Sequence, residues 1–536
     1  MHLRSDTSAQ SHFSRVPTIS QSRNAFSIAK RHLTTIQFDY LYPLYYKYIY
    51  PGDTLNIQQH VMGRLTTQIR TLFDDLYLDM HAWFVPMRLI QTNWARYQFN
   101  AQPSGPTQDN SSLTSPKITL TGLGAGGFVA KSLYDYFGFP TEVDFSGNTE
   151  HMNNYLARSY NLIWNENYRD ENLQNAVPVD LDDGPDDPTD YVLLKRGKRH
   201  DKFTSALTAA QKGSTVYLPL GSSAPVITNS TVPTMIQSSG GTERQLFNNT
   251  TSNEVFLAGA GLGTSTTLWW GSNTGLQANL SAAVGATLNQ VRQSYAVQHL
   301  LEADARGGTR DVESIQHRWG VTVPDFRLQR PEYLGGSTFT FDGHVVPQTS
   351  ATSGSNYQAG LAQFSQTMST MRVAHSFVEH GIFMILISAR SNITYQEGLK
   401  RELSYQTRYD WYQPEFANLG EVAIKNKEIY AIGGNGTQDN QTFGYQEYAY
   451  ELRYDDNQVS GEMRSNYATS LDSYHMADDY SSLPTLGSAW IQSNTAISRN
   501  IAVSAATADP IQLNTLTSGL IARTLPMFSI PGLKRL

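Results

Sequence analysis

The sequence predicts a mainly β protein, a single antiparallel β-sandwich interrupted by long helical and loop insertions. Three observations predict it. A period-2 stretch runs from Leu76 to Val85, strand-like segments lie near both ends of the 536-residue chain, and helix-spaced or irregular segments fill the middle. Alternation at period 2 places apolar side chains on one face of a strand, whereas steps of three and four place them on one face of a helix. Strands far apart in sequence join one sandwich through Greek-key connections.

In chain order, residues 1–35 are polar, Ser-rich and basic, and an extended arm is expected there. An aromatic run from Tyr40 to Tyr50 follows, broken by Pro43, and Pro51-Gly52-Asp53 is a turn signal. Strand is expected over 54–69, with interruptions, and from Leu76 to Val85, where Pro86 ends it. A short helix is expected over 88–99 and a longer one over 153–174, where Tyr155, Leu156, Tyr160, Ile163, Trp164 and Tyr168 recur at helical spacing. Residues 180–190 form an Asp/Pro loop. From 221 to 281 the chain is rich in Ser, Thr, Asn and Gly, which suggests an irregular or β-rich insertion. Val284, Leu288, Val291 and Tyr295 then predict a helix, and 309–319 a second. Arg372 to Ala389 reads as one strand-like stretch with a bulge or bend at Gly381. Further strands are expected over 421–432, 444–454, 499–507 and 518–525, with no internal repeat.

Composition narrows the function classes. Charged residues are 16% of the chain, below the roughly 25% of typical soluble domains, and there are 30 Tyr. Interface cores are poor in charge and rich in Tyr, so a chain that buries surface against neighbours fits; a Tyr-rich β protein without partners fits too. The chain has no Cys, which excludes disulfides, thiolate metal sites and Cys nucleophiles. No signal peptide is expected from the polar first residues. The longest apolar stretch, Ile382 to Ile387, is far short of the ~20 residues that span a bilayer, so no membrane segment is expected. Net charge is −7, but both ends are basic: residues 1–33 carry five basic residues against one acid, and residues 523–536 carry three against none.

Motifs of catalysis are sparse. Gly122 to Gly127 fits G-x-G-x-x-G but lacks the βαβ unit that gives the pattern meaning, so a flexible glycine loop is the preferred reading. Neither G-x-S-x-G nor H-E-x-x-H occurs. His375 and His380, five apart in an expected strand, would face opposite sides. No catalytic residue, metal ligand or cofactor is assigned, and no enzymatic activity is expected. The Asp/Pro loop fails the EF-hand spacing and reads as an acidic turn. Its Asp182, Asp183, Asp186 and Asp187 lie close in sequence to Lys195, Arg196, Lys198 and Arg199, and such opposed groups are candidate subunit-interface residues that would set register. At the ends, Arg4, Arg15, Arg23, Lys30, Arg31, Lys534 and Arg535 are candidate nucleic-acid contacts, since Lys and Arg neutralise phosphates without reading sequence; solvated tail charge is the alternative. Trp269 and Trp270 are candidates for stacking on sugars, which leaves a carbohydrate-binding β-sandwich surface protein as the competing function.

Several long blocks carry a family resemblance. They are LYPLYYKYIYPGDT (41–54), DLYLDMHAWFVPMRLI (75–90), SYNLIWNENYRDENLQ (159–174) and DDGPDDPTDYVLLKRGKRHDKFTSAL (182–207). Downstream come EADARGGTRDVESIQHRWGV (302–321), RLQRPEYLGG (327–336), YQPEFANLGE (412–421), FGYQEYAYELRY (443–454) and RTLPMFSIPGL (523–533). In these blocks the chain resembles the major capsid proteins of the Microviridae, of the gokushovirus type. Residues 221–281 and the N-terminal arm depart from the pattern. The resemblance implies a single eight-stranded viral jelly roll and a T = 1 icosahedral shell of sixty copies around a circular single-stranded DNA genome. It implies a basic arm at 1–35, jelly-roll strands with helical insertions over 36–220, and a variable insertion at 221–281. Over 282–536 it implies a helical insertion, the remaining strands and a basic tail. The variable insertion would form a threefold protrusion and contact a host receptor, which assigns Trp269 and Trp270 to attachment. A small basic DNA-binding virion protein is the implied partner inside. The implied location is the virion, assembled in the cytoplasm of a bacterial host.

Overall fold

The computed structural model describes residues 22–99, 113–120, 123, 126–145, 151–217, 226–236, 242–249, 254–257, 269–271, 275–279, 287–347, 361–434, 436–504 and 507–528. The chain divides into two compact units, Gln211–Arg306 and the remainder.

In the larger unit, two antiparallel sheets are built from β1 (Asn24–Ile36), β2 (Tyr42–Ile49), β3 (Thr54–Leu65), β4 (Leu76–Pro86), β5 (Glu332–Thr340), β6 (Asp342–Pro347), β7 (Leu361–Ser376), β8 (Gly381–Ser391) and β9 (Ile511–Arg523). The first sheet has the order β1-β9-β3-β7-β6, and the second β5-β4-β8-β2. Strand β3 shows why they stack. Leu55, Ile57, Val61 and Leu65 are buried, while the alternate Asn56, Gln58, Met62 and Arg64 are exposed. The buried set meets Leu76, Leu78, Met80 and Phe84 of β4 and Phe383, Ile385 and Ile387 of β8 in one apolar core.

The second sheet is covered on its other face as well. Helix α1 (Tyr155–Asn167) lays Tyr155, Leu156, Tyr160, Ile163 and Trp164 against Trp83, Val85, Ile382, Met384 and Leu386. That third layer explains the continuous apolar run of β8, buried from Gly381 to Arg390: a strand covered on both faces has no polar side to alternate with.

Several expectations change here. Arg372 to Ala389 is not one bent strand. The chain turns after Ser376, so that β7 lies in the first sheet and β8 in the second. Phe377 anchors the turn, with its ring centroid 4.7 Å from that of Phe84. Gly381 opens β8 because a Cβ there would fall 2.3 Å from the Phe84 ring. His375 is the last residue but one of β7, and His380 lies in the turn beside Trp94, with ring centroids 5.4 Å apart. The helix expected to reach residue 174 stops at Asn167, and the Asp170 carboxylate accepts the N–H groups of Asn172 and Leu173 instead. Short polar side chains compete with helix in this way. The expected strands near 421–454 shorten to a ribbon, Glu421–Lys425 against Thr442–Glu447, packed with Phe203, Tyr450 and Trp490 in a separate core. Residues 499–504 form no strand; the last one begins at Ile511. Of the segment read as an arm, Asn24 to Thr35 belong to β1, and residues 1–21 lie outside the described residues.

The smaller unit holds a pair of short strands, Val226–Thr228 and Leu276–Ala278, and a four-stranded sheet in which Trp269–Trp270 is an edge. Its helix α2 (Leu288–Arg306) buries only Ala305.

Candidate assembly and nucleic-acid surfaces

The outer face of the first sheet is open, and its chemistry is one-sided. The strands β1, β9, β3 and β7 contain no Asp or Glu at any position. Their register aligns the outward side chains in rows: Arg31, Leu516, His60 and Thr370 in one, and Leu33, Asn514, Met62 and Met368 in the next. Each guanidinium on this face is held by a neutral amide. Arg31 Nε donates to Asn514 Oδ1 at 3.1 Å, Arg64 Nη2 to Gln512 Oε1 at 3.0 Å, and Arg372 Nε to Asn56 Oδ1 at 3.4 Å. Amides orient the cations without cancelling their charge. The edge strand β6 adds one carboxylate, Asp342, opposite Gln366. Leu33, Met62, Met368, Leu516 and Leu520 are exposed on the same face, so it is apolar as well as basic.

A groove of about 530 Å³ runs where β1 and β2 meet at the sandwich edge, lined by Lys30, Lys47, Arg523 and the rings of Tyr45, Tyr46, Tyr48 and Tyr50. The Lys30 ammonium sits 5.1 Å from the Tyr46 ring centroid and 5.7 Å from that of Tyr45. Burial, and then repulsion from Lys47, lower its pKa. Arg523 is matched by Asp53 at 2.9 Å. Aromatic faces interleaved with cations are the ordinary chemistry of single-strand binding.

Of the sequence-predicted contacts, Lys30 and Arg31 fall on these two surfaces, and Arg23 lies nearby, donating to Thr54 Oγ1 at 2.7 Å. Arg4, Arg15, Lys534 and Arg535 lie outside the described residues. Sequence reasoning missed Lys47, Arg64 and Arg372. A signal was present: residues 24–36, 54–65, 361–376 and 511–523 contain no acid, in a chain that holds 47.

The acidic loop and the basic run are matched elsewhere in the subunit. Asp186 is fully buried and takes a bidentate pair from Arg158 of α1, Nε at 2.7 Å and Nη2 at 2.5 Å. Arg158 Nη1 also donates to the carbonyls of Ile90 and Asp182, so one side chain ties the helix to the turn that follows β4 and to the loop. Asp183 accepts from Gln91 and Asn93. Asp182 and Asp187 remain exposed, and Asp187 accepts the Thr189 N–H, which lowers its pKa. In the basic run, Lys195 lies over the Tyr40 ring, Arg196 pairs with Asp79 at 2.6 Å, Lys198 pairs with Asp478 at 2.7 Å, and Arg199 stacks on Tyr77. Trp269 and Trp270 pair with Ile236 and Met235 in their small sheet and are more than half exposed. Helix α2 also leaves Leu288, Tyr295 and Leu300 exposed.

Comparison with known proteins decides what kind of molecule carries these surfaces. The phage family described as capsid protein (F protein) matches residues 14–533. The chain belongs to this capsid-protein family. Among curated capsid proteins named VP1, it is 41% identical to that of Bdellovibrio phage phiMH2K, with 92% of each chain covered. It is 34% identical to that of Chlamydia phage 1 over 98% of each chain, and 31% identical to that of Spiroplasma virus 4 over 96% of each. All three phages are Microviridae, as the sequence blocks implied. The chain is thus a major capsid protein of a Microviridae-type phage, and its place is the virion. A capsid subunit works by meeting further copies.

Proposed function

We propose that this capsid protein is an eight-stranded jelly roll that tiles, in sixty copies, a T = 1 icosahedral shell around a circular single-stranded DNA genome, and that it has no catalytic role. Strand order supports the fold assignment. With β6 set aside, the sheets read β1-β9-β3-β7 and β2-β8-β4-β5, the arrangement of two interleaved Greek keys.

The observation that carries the genome reading is the outer face formed by β1, β9, β3 and β7, four strands without a carboxylate, with Asp342 of the edge strand β6 as the one acid of the sheet. A face with Arg31, Arg64 and Arg372 and no acid on four strands suits a polyanion, and it explains how an acidic subunit encloses DNA: the negative charge sits on other surfaces. We assign this face to the shell interior, with the basic ends of the chain and a small basic virion protein adding further phosphate contacts. Exposed Asp182 and Asp187 and half-buried Lys195 and Arg199, together with α2, are assigned to contacts between copies. Closed symmetry repeats each contact many times, so modest energies suffice.

The insertion at 221–281, with Trp269 and Trp270, is assigned to an external protrusion that contacts a host receptor. Deleting 225–278 tests both halves of the assignment. The expected protein still assembles into particles with the sedimentation of sixty subunits, and these particles fail to attach to host cells. A deletion protein that does not fold, or particles that attach normally, would contradict it.

A further inference from the structure

A cleft of about 480 Å³ opens at the second sheet, lined by His81, Trp83, Tyr168, Tyr333, Arg196 and Arg390, with Lys198, Arg330 and one carboxylate, Asp325, also on its walls. Its charges do not balance locally. Lys198 has Asp478 at 2.7 Å, and Arg330 has Asp325 at 3.2 Å. Arg196 and Arg390, in contrast, share one carboxylate oxygen. Arg196 Nη1 reaches Asp79 Oδ2 at 2.6 Å, and Arg390 Nη2 reaches the same atom at 2.7 Å. The other oxygen of Asp79 accepts from Thr338 at 2.7 Å. One guanidinium charge is therefore left without a counter-ion, and Arg390 is buried, with its Nε lacking any hydrogen-bond partner. Arg199, stacked 3.9 Å from the Tyr77 centroid, adds to the positive field. Burial first, and then repulsion from Arg196, bring the Arg390 pKa down to about 10. His81 cannot share the load as an acceptor of charge: burial and Arg196 hold it neutral, with its pKa near 4.

A buried, uncompensated charge is costly unless an opposite charge arrives. The walls say what else the ligand carries. Trp83 donates to the Tyr168 hydroxyl at 3.1 Å, and that hydroxyl meets His81 Nδ1 at 2.7 Å, so these polar atoms are already engaged and the rings offer mainly their faces. Tyr333 is half exposed beside Trp83, with centroids 5.0 Å apart. The cleft volume is in the range that encloses a small ligand.

We propose that this cleft is a binding site for a phosphate group carried on a ring-bearing molecule, with Arg196 and Arg390 facing the phosphate and Tyr333 packing on the ring. Arginine forks suit phosphate oxygens, and aromatic faces accept either a base or a sugar ring. The site is independent of the capsid assignment and of which way the other sheet faces.

The test is calorimetric titration of the purified full-length protein with inorganic phosphate, deoxyadenosine monophosphate and glucose 6-phosphate. The expected result is saturable binding of all three, tighter for at least one ring-bearing ligand; whichever is tighter identifies the source. In Arg196→Gln, Asp79 keeps Arg390 one to one. Phosphate affinity should fall at least tenfold, while the unliganded melting temperature stays the same or rises. In Tyr333→Ala, inorganic phosphate should bind as before, and the advantage of the ring-bearing ligand should disappear. Absence of saturable phosphate binding, undiminished binding by Arg196→Gln, or a marked fall in its unliganded melting temperature would each overturn the proposal.

Discussion

Replacing Arg158 with Met should be among the most damaging single changes in the larger unit. Arg158 and Asp186 both have fully buried side chains, and the guanidinium spends four donated bonds at 2.5–2.9 Å on Asp186, Ile90 and Asp182. Methionine preserves much of the volume but leaves the Asp186 carboxylate with Asn154 at 2.7 Å and a long contact to Tyr191 at 3.5 Å. Breaking one side of a buried ion pair costs about 3–5 kcal/mol, because the remaining charge stays desolvated. Domain stabilities are about 5–15 kcal/mol, so the loss is a large fraction of the total. The assay is urea denaturation of the purified subunit followed by tryptophan fluorescence, with the slope checked for constancy. Asp186→Leu combined with Arg158→Met removes the stranded charge, and the pair should be less destabilised than the two single losses added, with a coupling of roughly 2 kcal/mol. A loss below about 1 kcal/mol in Arg158→Met, or strict additivity in the cycle, would refute the reasoning.

Acid should weaken the subunit through His81. Its folded pKa, near 4, lies below its ordinary value of 6.5, so the unfolded chain binds the proton first and stability falls as pH drops from about 6.5 to about 4. The loss from this group is about 3 kcal/mol, and His81→Gln should flatten that limb of the denaturation profile. Asp79 acts lower down. Burial alone would raise its carboxyl, but Arg196 and Arg390 hold it at about 2, so its contribution is lost as pH falls from 3.8 toward 2. The triple change Arg31→Gln, Arg64→Gln and Arg372→Gln should leave the fold intact and weaken single-stranded DNA binding. It should also reduce the slope of log affinity against log salt by about 2, from roughly 0.7 per phosphate contact. Gly381→Val drives a side chain into the Phe84 ring and should destabilise the subunit by about 1–3 kcal/mol in the same urea assay, whereas a neutral result would mean that the turn into β8 is not tightly packed.

The strands were legible where residue types alternate. Leu55 to Leu65 alternate because one side of β3 is open, and Leu76 to Ala82 alternate with Tyr77, Asp79 and His81 because β4, although covered on both sides, meets the apolar core on one side and polar or aromatic partners on the other. Legibility failed where both faces are covered by apolar partners alone. The run in β8 has no period, so the boundary between β7 and β8 was hidden inside what read as one bent strand. It also failed at β1, whose edge position leaves much of it exposed and polar, so that a strand looked like an arm. At the candidate surfaces, charge counting by chain end found Lys30 and Arg31 but not Arg64 or Arg372, which reach the same face only through β9 and β7 pairing with β3. Residues this far apart in sequence share a surface only once the register is known. The Asp loop was recognised as a group, yet its anchor, Arg158, sits on the interior side of a helix and carried no local signal.

Electron cryo-microscopy of particles assembled from this subunit shows directly whether copies tile a closed container with the arginine-bearing face of β1, β9, β3 and β7 turned toward its contents. The expected particles are closed icosahedral shells in which Arg31, Arg64 and Arg372 line the cavity. Preparations that remain free of particles under every assembly condition, or shells that carry those three arginines on the outside, would contradict it.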